Sequence, residues 1–256
     1  FVPIDLVFYP IRGIGMKLVV NTCSSGFAAY TNFDEATDRG VLELIERDSL
    51  MRGWYEKRSP RKLDFQILPT HLKNRVNYWK SRGRDVFVLD ISQRGVVAIQ
   101  VVITSDEYPC FVSGASSTLG GFEEAAIKAF HEAESRLIYG LNEPETRTIE
   151  PTHVHSVLDH ELLYAQSKMY HEYVQFLFDG ITSNVPPVAT ASIASLKKEL
   201  KAVTVDVSEG HSSLSVVKVL SPEMIPISFG YGADHYTHHT LTRAVSGSST
   251  VPHYFA

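Results

Sequence analysis

One internal repeat constrains this 256-residue chain more than any other feature. Asn32-Phe33-Asp34-Glu35-Ala36, running on to Glu43 and Arg47, returns 89 residues later as Gly121-Phe122-Glu123-Glu124-Ala125, running on to Glu132 and Arg136. No gap is needed: Phe33/Phe122, Glu35/Glu124, Ala36/Ala125, Glu43/Glu132 and Arg47/Arg136 all correspond. Self-similarity of this kind marks a repeated supersecondary unit. In each copy apolar and small positions recur at helical spacing. Small residues precede each helix, Cys23 to Gly26 in one copy and Ser113 to Ser117 in the other, and both stretches read as loops. Two equivalent strand–loop–helix units, each with a Glu and an Arg four residues apart, predict one composite site.

Around the repeat the pattern predicts an α+β fold built from βα repeats with mixed sheets. Apolar runs between turn formers give short strands at Leu6-Val7-Phe8 and at Met16 to Val20. Asn32 with Glu35 has the form of a capping box and opens a helix from about Phe33 to Trp54, closed before Pro60. A second helix covers residues 69–82. Strands follow at Val86 to Ile91 and at Val96 to Ile103, then a turn at Tyr108-Pro109. The helical period returns from Phe122 to Ala133. A further helix is predicted over residues 158–178, a break at Ser183 to Pro187, a short basic helix at Ser192 to Ala202 and a strand at Ser215 to Leu220. An irregular, Gly- and His-rich tail closes the chain.

Composition removes several function classes. Hydrophobic residues at 44% and charged residues at 21% exclude wholesale disorder, collagen and coiled coil. A net charge of −5 supplies no global basic field for nucleic acid. The longest aliphatic stretch, Val96 to Ile103, is interrupted by Gln100 and too short to span a bilayer. Cys23 and Cys110 are too few for a disulfide framework and suit a reducing, cytoplasmic setting. Cys23 reads as a buried structural thiol. His153, His155 and His160 form one group, and His235, His238, His239 and His253 another. Neither has zinc spacing on one helix, so both read as exposed or hydrogen-bonded histidines. The Lys197-Lys198 helix reads as a solvated face.

The repeat carries the chemistry. Glu43 and Glu46 lie three apart on a helix and share one face. Two neighbouring carboxylates repel unless a cation sits between them, and Mg²⁺ is a hard ion that takes oxygen ligands and bridges carboxylates to phosphates. Arg47 and Arg136 have planar forks suited to phosphate oxygens. The small-residue stretches offer backbone N–H groups to an anion. The same Glu/Arg spacing also suits ordinary i,i+4 surface pairs, worth a few tenths of a kcal/mol.

Val2-Pro3-Ile4-Asp5-Leu6-Val7 followed by Ser25-Gly26-Phe27-Ala28-Ala29 resembles the middle of a YcaO domain. So do Asp34-Glu35-Ala36 leading to Glu43-Leu44-Ile45-Glu46-Arg47-Asp48 and Trp54, Ser113-Gly114-Ala115 with Glu123-Glu124-Ala125, and Val217 to Gly230 with Ser221-Pro222-Glu223 and Pro226. The resemblance spans most of the chain, and the Glu-x-x-Glu-Arg stretch is its most specific part. It implies ATP-dependent activation of a peptide backbone amide. In cyclodehydratases of this family a Cys, Ser or Thr side chain of the substrate attacks the preceding carbonyl, ATP phosphorylates the resulting oxygen, and phosphate leaves an azoline ring. By this resemblance Glu43, Glu46 and Glu132 hold Mg²⁺, Arg47 and Arg136 face the phosphates of ATP, and the Ser25-Gly26 loop lines the nucleotide pocket. Azoline-forming members end in a Pro-rich tail that reaches the active site, which makes the C-terminal carboxylate of Ala256 a candidate catalytic group.

The resemblance further implies a ribosomally made precursor peptide as substrate, a leader-binding partner similar to ubiquitin-activating enzymes, and a possible homodimer. Residues 1–256 read as one YcaO-like domain whose first carboxylate helix lies upstream of Phe1. Several positions depart from the family pattern: Ser25 stands where Asn is usual, Tyr30 where Gly is usual, and Ser135 where Gln is usual, with Glu134 one residue early. They motivate a second reading, a non-catalytic YcaO-like scaffold that binds peptide or partner without turnover. Pro252 and Phe255 in the tail favour azoline over thioamide formation, which stays as an alternative. A metal-dependent hydrolase using the C-terminal histidines is a further rival.

Overall fold

A computed structural model describes residues 2, 4–8, 23–142, 148–210, 213–233 and 251–255. Its first element is a single helical turn, α1 (Ile4–Val7), where a strand was expected at Leu6 to Phe8. Phe8 N–H closes that turn on Ile4 O at 3.1 Å, and a three-residue apolar run has no period of its own to oppose it. The strand expected at Met16 to Val20 lies outside the described residues.

Strand β1 (Phe27–Tyr30) leads into helix α2 (Phe33–Glu56) through Asn32. Asn32 is extended, and its Oδ1 accepts from Glu35 N–H at 2.9 Å, which satisfies one free donor of the first turn. Lys57 ends the helix in the left-handed region, with φ 47°. Helix α2 is enclosed on nearly every side. Ala36, Val41, Leu44 and Ile45 pack with Val217 and Val219, and one to three turns on Leu50, Met51, Trp54 and Tyr55 enter the central cluster with Tyr164 and Tyr254. Its buried Asp48 is fully partnered: Arg52 Nε lies at 2.7 Å, Gln93 Nε2 at 2.8 Å and Ile225 N–H at 2.8 Å.

After α2 come β2 (Arg61–Leu63), α3 (Thr70–Lys80), β3 (Asp85–Asp90), β4 (Val97–Thr104), β5 (Phe111–Thr118) and α4 (Phe122–Asn142). Then follow α5 (Val157–Tyr164), α6 (Ser167–Tyr173), β6 (Thr182–Ser183), α7 (Ile193–Glu199), β7 (Val203–Asp206) and β8 (Ser215–Leu220). A five-stranded sheet runs β5-β4-β3-β2-β6, antiparallel except for the parallel β2/β6 pair. A three-stranded antiparallel sheet runs β1-β8-β7. The fold is therefore α+β with mixed sheets, and β1–α2 and β5–α4 are its two repeated units. Central strand β4 is buried along its whole length. Val97, Ile99, Val101 and Ile103 face the α3/α4 cluster, while Val102 faces the cluster that holds the tail.

Two expectations need correction. Ser113 to Ser117 is not a loop but the middle of β5, in register with β4 from Ser113↔Val102 to Ser117↔Ala98. Small residues are needed there for packing: a Cβ on Gly114 would sit 2.3 Å from Ala133 N and 2.6 Å from Ala129 O of α4. The helix expected over 158–178 is broken into α5, α6 and a short turn at Gln175–Phe178. Gln166 between them is extended, its side chain donates to Ile149 O at 3.0 Å, and Cys110 N–H takes the Ala165 carbonyl at 2.8 Å. Tertiary partners thus divert the groups that would have continued the helix. No helix among the described residues is long and apolar enough to cross a membrane.

Candidate functional site

The duplication in sequence is also a duplication in geometry. Gly26 N–H donates to Glu43 Oε2 at 2.6 Å, and Ala115 N–H donates to Glu132 Oε2 at 2.7 Å, each across 17 residues. Gly26 and Ala115 are themselves related by the 89-residue offset. At the first of them only glycine fits: φ is +83°, and a Cβ would lie 2.1 Å from Val219 O. The free oxygens face arginines one turn on. Arg136 Nη2 is 2.6 Å from Glu132 Oε1, and Arg47 Nε is 3.8 Å from Glu43 Oε1 and 3.7 Å from Glu46 Oε1.

Helices α2 and α4 both pack on β5, which brings the two half-sites together. Burial pushes the Glu46 carboxyl up to about 7; Arg47 pulls it down, and Glu132 and Glu43 push it further up. Ser117 N–H on β5 supplies a hydrogen bond to the same group. Glu43 is raised by burial against the opposing pull of Arg47 and the Gly26 N–H. Burial pulls the pKa of Arg47 down, but Glu46, Glu132 and Glu43 outweigh it and raise it. These readings place Glu43, Glu46, Glu132 and Arg47 within electrostatic reach of one another. Arg136 joins them through Glu132.

The structure adds Glu161, which the sequence did not single out. It projects from α5, and its Oε1 lies 3.3 Å from Arg136 Nε. Burial raises its pKa, Arg136 opposes, and Glu132 adds to the rise. Glu161 belongs to neither copy of the repeat, so no spacing signal pointed to it. Lys218 on β8 is a second addition. It is 2% exposed and donates to Cys23 O at 2.7 Å and Ser25 O at 2.5 Å, fixing the turn that delivers Gly26 N–H to Glu43. Glu134 points elsewhere, to Arg75 and to Trp79 Nε1 at 2.9 Å, and Ser135 is exposed with its hydroxyl on His131 O. Both departures from the family pattern in α4 therefore lie away from the carboxylate cluster.

A cleft of about 410 Å³ opens beside the cluster between α2, α4 and β5, with Glu43, Glu46, Arg39, Ser117, Glu124 and Lys128 among its walls. Gly26 contributes its N–H to Glu43, but Ser25 turns inward: it is 2% exposed, and its hydroxyl accepts from Ile227 N–H at 3.1 Å. Cys23, expected to be buried, is half-buried. His160 and His253, assigned to separate groups by sequence, have rings 4.3 Å apart in the interior. Tail residues 251–255 are buried, and His253 feels the Arg47 charge, whereas Ala256 lies outside the described residues, as do His235, His238 and His239.

Among the described residues no three His, Cys, Asp or Glu side chains converge as a formed metal site. Glu43 and Glu132 instead divide their oxygens between a backbone N–H and an arginine. The donor chemistry still fits Mg²⁺ with a phosphate: every acidic donor is a carboxyl oxygen, burial pushes the Glu46 carboxyl up to about 7 so that a nearby cation would favour its charged form, and the arginines beside them suit phosphate oxygens.

The YcaO cyclodehydratase family, described as ATP- and Mg²⁺-binding, matches residues 1–225. No curated protein matches the chain. Among solved structures it is similar to the heterocyclase TruD, at a TM-score of 0.64 and 19% identity over 91% of this chain and 34% of that one. It is similar to YcaO from Methanopyrus kandleri bound with AMPPCP and Mg²⁺, at a TM-score of 0.63 and 19% identity over 85% of this chain and 58% of that one. It is also similar to the E. coli microcin synthetase McbBCD complex, at a TM-score of 0.61 and 13% identity over 80% of this chain and 56% of that one. The chain spans 34% to 58% of the length of these neighbours, and at such identities the likeness is one of fold.

Proposed function

Because this chain belongs to the YcaO family, we propose that it uses ATP to activate backbone amides of a ribosomally made precursor peptide, cyclising Cys, Ser or Thr residues to azolines. The observation that carries the reading is the paired cluster: two carboxylate–backbone–arginine units related by the repeat, which converge around Glu46. Phosphoryl transfer asks a protein for positioning and charge neutralisation more than for a nucleophile. This cluster offers those two things.

In the proposed reaction the substrate's side-chain oxygen or sulfur bonds to the preceding carbonyl carbon. That bond closes the ring as the side-chain O–H or S–H proton is lost. The former carbonyl oxygen takes the γ-phosphoryl group of ATP, with release of ADP, and departs as phosphate. Loss of the amide proton leaves the C=N double bond of the azoline. Arg47 and Arg136 would turn from their carboxylates to the phosphate oxygens. Glu43, Glu46 and Glu132 would hold Mg²⁺, which when bound neutralises phosphate charge. Glu46, whose carboxyl is pushed up to about 7 without the ion, would be held in its charged form on taking that role. A leader-binding partner similar to ubiquitin-activating enzymes and a homodimer complete the proposal. The two cysteines, not joined to each other, suit a reducing cytoplasm.

Calorimetric titration of ATP with Mg²⁺, beside Glu43→Ala and Glu132→Ala, tests the site. Mg²⁺-dependent binding lost in both variants supports it, and binding unaffected by either removes it. Mass spectrometry of a candidate peptide then decides the chemistry. Loss of one water per ring supports azoline formation, and exchange of oxygen for sulfur supports the thioamide alternative.

A further inference from the structure

The two half-sites hold their carboxylates alike but hold their backbone donors differently. In the second copy Ala115 lies inside β5, in register with Gln100 of β4, so the sheet itself fixes the direction of its N–H. In the first copy Gly26 precedes β1 and has no strand around it. Its N–H belongs to the planar, trans peptide unit shared with the Ser25 carbonyl, so the two groups point in opposite directions. Whatever grips the Ser25 oxygen therefore aims the Gly26 hydrogen.

Lys218 of β8 grips it. Its Nζ donates to Ser25 O at 2.5 Å and to Cys23 O at 2.7 Å, while Gly26 N–H reaches Glu43 Oε2 at 2.6 Å. Lys218 and Glu43 thus hold the two ends of one peptide unit. A cation on the carbonyl also polarises that unit and strengthens its N–H as a donor. The lysine is 2% exposed, its Nζ lies 4.5 Å from the centroid of the Phe27 ring, and among the described residues no carboxylate pairs with it. Burying a cation whose hydrogen bonds go only to carbonyls is costly. Burial pulls its pKa down, Cys23 and Glu43 oppose, and Glu43 feels the Lys218 charge in turn. Other bonds to the turn do not replace it. Val219 N–H donates to Gly26 O at 2.8 Å and Ile227 N–H to the Ser25 hydroxyl at 3.1 Å, and both act outside that peptide unit.

We infer that Lys218 is a positioning residue of the candidate site: it orients the Ser25-Gly26 peptide unit that holds Glu43, and Mg²⁺–ATP binding through the first half-site depends on it. The second half-site needs no such residue, because a strand does the same work. The ligand rests on the function proposed above; the tie between Lys218 and Glu43 does not.

The test labels the whole chain with ¹³C at serine carbonyls and ¹⁵N at glycine. Ser-Gly occurs three times in the sequence, at Ser25-Gly26, Ser113-Gly114 and Ser246-Gly247, so a carbonyl-filtered NMR spectrum holds only three amide signals. Glu43→Gln identifies the Gly26 signal by moving it. In Lys218→Met the Gly26 amide proton should shift upfield while the Gly114 signal stays in place. Mg²⁺–ATP affinity, read by calorimetry, should fall about tenfold in the same variant. That loss should vanish in a Glu43→Gln background and persist in full in a Glu132→Gln background, since only Glu43 shares the path. A merely structural lysine would weaken binding equally in both backgrounds. That result overturns the inference, and so does a Gly26 signal that does not move in Lys218→Met. Lys218→Gln keeps one donor without the charge, and it answers the same questions if Lys218→Met does not fold. A wild-type chain that binds no Mg²⁺–ATP removes the function proposed above, and the Gly26 signal in Lys218→Met then decides the tie on its own.

Discussion

Glu43 and Glu132 stand in the same relation to their own strands: each takes, through Oε2, the backbone N–H of the residue 17 positions earlier. A carboxylate on a backbone donor makes a short, charge-assisted bond that locks its rotamer. Its second oxygen is then presented in a fixed direction, toward Arg47 in one half and Arg136 in the other. Duplication of the βα unit thus produces two pre-aimed carboxylates on helices that pack on one strand.

Replacing either carboxylate by its amide separates geometry from charge. Glutamine keeps a carbonyl oxygen for the Gly26 or Ala115 N–H, so Glu43→Gln and Glu132→Gln should each cost only about 1 kcal/mol of stability. Each should weaken Mg²⁺-dependent ATP binding at least tenfold, about 1.4 kcal/mol. Thermal unfolding and calorimetry on the same preparations check both numbers. Loss of binding in only one variant would contradict a composite site.

Arg47 is the counter-charge for three carboxylates. Arg47→Met removes it and leaves Glu43 and Glu46 half-buried or buried without their cation. The expected loss is about 2–3 kcal/mol at pH 8, since breaking a buried pair from one side strands the other charge. At pH 6 the loss should be smaller, because Glu46 can take up a proton instead. Urea unfolding at the two pH values measures the difference, and equal losses would mean that Arg47 is not balancing ionised carboxylates.

Sequence alone made the repeat, the helices that carry it and the Glu/Arg positions legible, because periodicity and spacing are local properties. The strand character of Ser113 to Ser117 was hidden by composition. Serine and glycine are turn formers, and only the close approach of α4 to Gly114 explains their use in a strand. Glu161 was invisible for a related reason. It reaches Arg136 from a helix that tertiary hydrogen bonds at Ala165 and Gln166 cut out of a longer apolar pattern. The Ser25 hydroxyl was assigned to the nucleotide pocket by resemblance, yet it bonds Ile227 N–H across 202 residues, a contact without any local signature.

Glu46 gives the chain a pH dependence of unusual sign for a carboxylate. Burial first, then Glu132 and Glu43, raise its folded pKa to about 7 from 4.5, so between those values the folded state binds more protons than the unfolded one. Its contribution is full below pH 4.5 and is lost as pH rises through 7. Glu43 and Glu161 are shifted in the same direction. Glu46→Gln is neutral at every pH, so without Mg²⁺ its stability relative to wild type should improve by about 1 kcal/mol, or about 3 °C, between pH 6 and pH 8. Parallel melting curves for the two proteins over that range would refute the assignment.

His160 acts with the opposite sign. Its Nε2 accepts from Gly230 N–H at 3.0 Å, so Nδ1 carries the proton and donates to His253 O at 2.8 Å, tying the tail to α5. Burial lowers its pKa to about 4, against the weaker pull of the His253 carbonyl and Asp159. His253 is also lowered, by burial and then by the neighbouring His160. A depressed histidine means that the unfolded state binds more protons. Its contribution is complete above about pH 6.5, falls as pH drops, and is gone below 4. His160→Leu should lower stability at pH 7 by about 2 kcal/mol through the two lost hydrogen bonds. It should also reduce the acid slope of stability by about one proton between pH 6 and pH 4.5. Trp54 fluorescence reports on the tail, since its ring lies 5.8 Å from that of Tyr254. An acid transition in His160→Leu as steep as in wild type would show that protonation of His160 does not drive the acid loss of stability.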